Sequence, residues 1–199
     1  MPLNSVRRGL ALAVGLLGGA LAAPPFSLGV PFAPGALSSV SLMDAAGAGA
    51  ASGLAGAGRL TLQVPPARQV FPAGCQGPGT DLPGLLIGGV AAGQGPSRVV
   101  WRPVPAGLNP GQGASAAPGK GAALLFLKRP SSGRVSVDCS QPGGPASGMA
   151  LDGRFPAGWS RVRVTVKVER QGRSPRLSVR LSPELNEWRW EQVKGAAAR

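Results

Sequence analysis

Residues 161–182 read RVRVTVKVERQGRSPRLSVRLS. Val162, Val164, Val166 and Val168 fall at every second position, with Arg161, Arg163, Thr165, Lys167 and Glu169 between them. Successive side chains of a strand point to opposite faces, so the valines share one face and the polar set the other. Gln171-Gly172-Arg173-Ser174-Pro175 then supplies turn residues. Leu177, Val179 and Leu181 resume the alternation against Arg176, Ser178, Arg180 and Ser182. The stretch predicts a long antiparallel hairpin with one apolar and one basic face.

The same period recurs upstream. Leu60, Leu62 and Val64 alternate with Arg59, Thr61 and Gln63, and Val135, Val137 and Cys139 alternate with Arg134, Ser136 and Asp138. Leu85-Leu86-Ile87 and Val99-Val100-Trp101 are short apolar runs. Ala122 to Leu127 does not alternate at all, as expected of a central strand covered on both faces. Downstream, Ser182-Pro183-Glu184 is compatible with a helix cap. Trp188 and Trp190, alternating with Glu187, Arg189 and Glu191, instead match the hairpin's period, and we read a third strand of a meander. About seven strands joined by Gly/Pro/Ala-rich loops predict an all-β fold, an antiparallel β-sandwich or partly open barrel. Residues 59–194 form the single β-rich domain in this reading, and 195–199 a tail. Residues 23–58 are rich in Pro, Gly and Ala and bury little area per ordered residue, so they read as a flexible linker with a short strand around Val40 and Leu42.

The first 22 residues follow the pattern of an export signal. Arg7 and Arg8 precede the uncharged, mostly apolar stretch Gly9 to Leu21, and Ala20-Leu21-Ala22 is an A-x-A cleavage pattern. The apolar stretch is shorter than the roughly 20 residues that span a bilayer. The expectation is a periplasmic, envelope or extracellular protein without a transmembrane helix after signal removal. Val6-Arg7-Arg8 resembles a twin-arginine leader but lacks the usual Ser or Thr, which favours the general route. Cys75 and Cys139, an even pair in an exported chain, predict a disulfide.

The chain of 199 residues holds 21 Lys and Arg against 8 Asp and Glu, a formal charge of +13, and no His. Lacking His, it has neither the usual general base nor a Ser-His-Asp triad. Two cysteines without histidine leave no ordinary zinc site, and no cofactor motif is present. Gly113 to Lys120 departs from the phosphate-loop spacing, with Gly121 where Ser or Thr is needed. A carboxylate-pair hydrolase is the residual enzymatic reading. The charge itself is concentrated: residues 154–180 carry eight cations and one acid. Arg161, Arg163, Lys167, Arg173, Arg176 and Arg180 are the candidate polyanion-binding residues, because Arg donates in pairs to phosphate. Trp188 and Trp190 on an adjacent strand are candidates for stacking on bases. The expectation is a non-enzymatic exported module that holds nucleic acid, single strands included, or an anionic envelope surface. The alternative is an envelope structural or assembly protein docking a protein partner through an edge strand. A high-GC genome would by itself raise Arg, Ala, Gly and Pro.

Overall fold

The computed structural model describes residues 26–32, 37–44, 48–66, 68–71, 75–93, 99–105, 119–139, 147–171, 174–185 and 188–193, with backbone alone at 105, 170–171 and 174–175. The signal sequence at 1–22, the 195–199 tail and Arg173 lie outside the described residues. The strands, in chain order, are β1 (Phe26–Gly29), β2 (Ser38–Met43), β3 (Gly49–Gly56), β4 (Arg59–Leu62), β5 (Cys75–Gln76), β6 (Gly84–Ile87), β7 (Gly89–Ala92), β8 (Val99–Pro105), β9 (Gly119–Leu127), β10 (Ser131–Cys139), β11 (Ser147–Phe155), β12 (Gly158–Gln171), β13 (Ser174–Pro183) and β14 (Trp188–Gln192).

They form two curled seven-stranded sheets, ordered β1-β4-β3-β2-β7-β8-β14 and β5-β10-β11-β13-β12-β9-β6. All neighbours are antiparallel except β11 and β13, which run parallel. The all-β class and the sandwich or open-barrel architecture hold. The strand number is twice the seven expected, because strands of two to four residues, such as β1, β5 and β7, are too short to display a period. Residues 26–56, read as linker, instead supply β1, β2 and β3. Val40, Leu42, Ala50 and Ala55 are buried there, so small side chains contribute to a core when alternation aligns them.

Two cores form, the first between the sheets and the second inside the curl of the second sheet, and β9 is the wall between them. Leu124 and Phe126 pack into the first core, with Leu60, Leu62, Ile87 and Val90. Ala123, Leu125 and Leu127 pack into the second, with Val137, Leu151, Phe155, Val162 and Leu181. The unbroken apolar run at 122–127 therefore has a defined cause, since both faces of β9 are buried. Full burial of one such leucine contributes about 1.5–3 kcal/mol.

Three contacts tie strands together beyond the ladders. In the first sheet, the Trp190 indole on β14 donates to the Gly29 carbonyl at the end of β1, and Phe32 stacks on Trp101 and meets Trp190 edge-on. In the second, Cys75 and Cys139 are register partners on β5 and β10 and form a disulfide. Between the sheets, Trp159 at the start of β12 packs on Phe126 and donates to the Gln63 carbonyl. The β3–β4 hairpin turns on Ala57 and Gly58, both at positive φ (49° and 70°), the backbone that a two-residue turn needs to follow strand twist.

Candidate functional site

The β12–β13 hairpin forms as expected, and in its register Arg163 lies opposite Ser182, Thr165 opposite Arg180, Lys167 opposite Ser178 and Glu169 opposite Arg176. Its apolar face is sequestered unevenly. Val162 and Leu181 are fully buried, whereas Val168, near the turn, is half exposed. Beyond this pair, the polar face continues onto both flanking strands. On β9, Lys120 lies opposite Thr165. On the other side, parallel pairing puts Ala150 of β11 beside Arg180 and Gly148 beside Ser178. β10 then adds Arg134, Ser136 and Asp138 opposite Asp152, Ala150 and Gly148.

The result is a groove of about 650 Å³ running over five strands. Its floor is short side chains: Ser136, Gly148, Ala150, Thr165, Ser178 and Ser182. Long charged side chains stand around it. Lys120 and Lys167 are on the β9–β12 side, and Arg134 is on β10, four strand spacings or about 19 Å from Lys120. The lining holds six cations, Lys120, Arg134, Arg163, Lys167, Arg176 and Arg180, and three carboxylates, Asp138, Asp152 and Glu169.

The arginines are largely engaged by the chain's own acids. Arg163 makes a two-pronged pair with Glu184, Nε to Oε2 at 2.8 Å and Nη2 to Oε1 at 3.1 Å. The Glu184 side chain is only 1% exposed, and its backbone N–H donates to the Arg161 carbonyl at 3.0 Å. Hydrogen bonding to Glu184, then its negative charge, raises the Arg163 guanidinium above its ordinary value. Arg180 pairs with Asp152 on β11. Arg176 reaches across β11 to Asp138 on β10. Gly148 lies under that reach: a Cβ there would stand 3.0 Å from the Arg176 Nη2. Lys120, Arg134 and Lys167 are exposed and pair with no carboxylate among the described residues.

Of the residues singled out by sequence, Arg163, Lys167, Arg176 and Arg180 come together in the groove. Arg161 is opposite Leu124 on β9, outside the lining. The position expected for the two tryptophans is corrected. β14 is a strand, but it is not the third strand of a meander beside the hairpin. It pairs with β8 at the edge of the other sheet. Trp188 and Trp190 pack against the first core, in edge-to-face contact with each other, and neither lines the groove. The expectation of an uninterrupted cationic plane is corrected as well, since three arginines are neutralised by Glu184, Asp152 and Asp138. Sequence reading missed Lys120 and Arg134 as site residues. Arg134 was legible as the polar face of its strand, but the parallel β11–β13 pairing that carries it to the hairpin has no local signal.

Among the described residues no group of three or more Cys, Asp or Glu is arranged to hold a metal ion. No family model, no curated protein and no solved structure matches the chain.

Proposed function

We propose that the protein is a non-enzymatic binding module that holds a polyanion, nucleic acid or an anionic envelope component, in the groove over β9 to β13. The observation that carries this reading is the lining: six cations against three carboxylates around a floor of small and hydroxyl-bearing residues. The small floor leaves room for a chain or head group. The serines and Thr165 offer neutral hydrogen-bond partners to oxygens that the cations attract. The export pattern read at 1–22 fits a partner outside the cytoplasm. The core positions of Trp188 and Trp190 remove base stacking from this reading and leave charge as the means of recognition.

A salt titration of binding to single-stranded DNA, duplex DNA and anionic vesicles, run in parallel, tests it. Three unpaired cations imply that log K for single strands falls with log salt at a slope of about −2. Replacing Lys120, Arg134 and Lys167 together with Gln should flatten the slope and leave the fold intact, because all three side chains are exposed. A wild-type protein that binds none of the three probes, or binds with no salt dependence, refutes the proposal. Docking through an edge strand is favoured by no specific contact: β1 is bound to Trp190, and β5 and β6 are the edges of the second sheet. Hydrolysis by a carboxylate pair draws less too, since guanidinium groups engage both Asp138 and Asp152.

A further inference from the structure

We propose that Asp152 and Asp138 act as built-in competitors for Arg180 and Arg176, and so make the groove selective for phosphomonoester groups over singly charged anions. The inference rests on the polyanion reading and names the chemistry of its ligand.

The three ion pairs at the groove are not alike. Glu184 is buried and takes both prongs of Arg163, so that pair is part of the fold. The other two pairs lie in reach of water. Each keeps one partner open to water, the Asp138 side chain at 72% and that of Arg180 at 58%, while Arg176 is 29% and Asp152 28% exposed. A pair with one end in water is held less tightly than one with a buried carboxylate, and a released Asp138 is rehydrated where it stands. A ligand carboxylate or phosphodiester carries one charge. Taking an arginine from an aspartate then exchanges one singly charged oxygen acid for another, with little gain. A phosphomonoester carries close to two charges near neutral pH and three strong acceptor oxygens, so the exchange favours the ligand. Singly charged chains therefore meet Lys120, Arg134 and Lys167 alone. Phosphomonoesters recruit Arg176 and Arg180 in addition. Gly148 belongs to the same device, since it leaves the path from Arg176 to Asp138 open.

The test compares two peptides of one length, octaphosphoserine and octaglutamate, on the full chain and on the R176Q/R180Q variant. The double variant should lose on the order of tenfold more affinity for octaphosphoserine than for octaglutamate, whose smaller loss comes from the two aspartates left uncompensated. A second variant, D138N/D152N, should tighten octaglutamate binding by a similar factor, because two carboxylates that compete with the ligand are then neutral. Equal losses for both peptides in R176Q/R180Q, or no loss for either, overturns the competitor role and leaves the polyanion reading standing. A wild-type protein that retains neither peptide overturns both. Vesicles containing phosphatidic acid, tested beside the soluble peptide, tell a membrane-borne phosphomonoester from a soluble one. Binding to either that depends on Arg176 and Arg180 supports the assignment.

Discussion

Replacing Arg163 with Met strands the Glu184 carboxylate in the fold. Its side chain is 1% exposed and both oxygens accept from the guanidinium. Breaking a fully buried pair from one side costs about 3–5 kcal/mol. The Arg163 side chain is 36% exposed, so water already reaches its end of the pair. The lower end, about 3 kcal/mol, is therefore the expected loss. Glu184→Gln is the asymmetric counterpart. It leaves a partly hydrated cation and an amide oxygen that still accepts one hydrogen bond, so its loss should be about 1–2 kcal/mol. One kcal/mol moves the melting temperature by roughly 2–4 °C at this chain length. Thermal unfolding followed by circular dichroism should show R163M lower than wild type by about 6–12 °C and E184Q by about a third to two thirds as much. The double variant R163M/E184L, which removes both charges, should recover most of the loss. If R163M melts with wild type, or if the double variant is worse than either single one, Glu184 does not depend on Arg163. The distinction drawn between a structural pair and two exchangeable pairs then fails with it.

Three further perturbations test the frame. Cys75→Ser with Cys139→Ser opens a loop of 64 residues and should cost about 4 kcal/mol, read as a lower urea midpoint with β5 the first strand to lose amide protection. Ala57→Asn should raise stability by about 1 kcal/mol, because Ala57 holds a left-handed backbone (φ 49°) that Asn tolerates better; a lower melting temperature refutes that turn geometry. Trp190→Phe should cost about 1 kcal/mol more than Trp188→Phe, since the Trp190 indole N–H donates to Gly29 while the Trp188 N–H is buried without a partner; equal losses would contradict that contact.

Much of the second sheet was legible because its strands are long. The alternation at 134–139, 161–169 and 176–182 has enough repeats to assign both existence and facing. The unbroken run at 122–127 correctly announced burial on both sides. The first sheet was mostly hidden. Its strands are Gly- and Ala-rich, and residues such as Ala55, fully buried, resemble linker when counted by composition. The hairpin's cations were legible as a face, but not their neutralisation. Asp138, Asp152 and Glu184 lie 38, 28 and 21 residues from Arg176, Arg180 and Arg163. Only tertiary pairing, in part the parallel contact of β11 with β13, brings them together. Nor does period reveal which sheet a strand joins, so β14 was placed beside the hairpin although it lies at the edge of the other sheet.

One strand ties the groove to the fold. The polar face of β12 runs from Trp159 through Arg161 and Arg163 to Thr165, Lys167 and Glu169. Its first position is only partly open to water, because Trp159 covers Phe126 over the first core. Arg163 follows, locked to Glu184. Only from Thr165 onward does the face line open groove. The strand thus passes from core contact, through a half-buried ion pair, to an exposed polar and cationic surface within a few residues of one continuous ladder with β9 and β13. Anchoring at the Trp159 end fixes the facing of every later residue, since a slip of one position would turn Lys167 inward and Val168 out. That register also places each cation of the hairpin's polar face opposite a neutral or acidic residue, Lys167 opposite Ser178, Arg180 opposite Thr165 and Arg176 opposite Glu169, so the direct repulsion of like charges across the ladder is avoided.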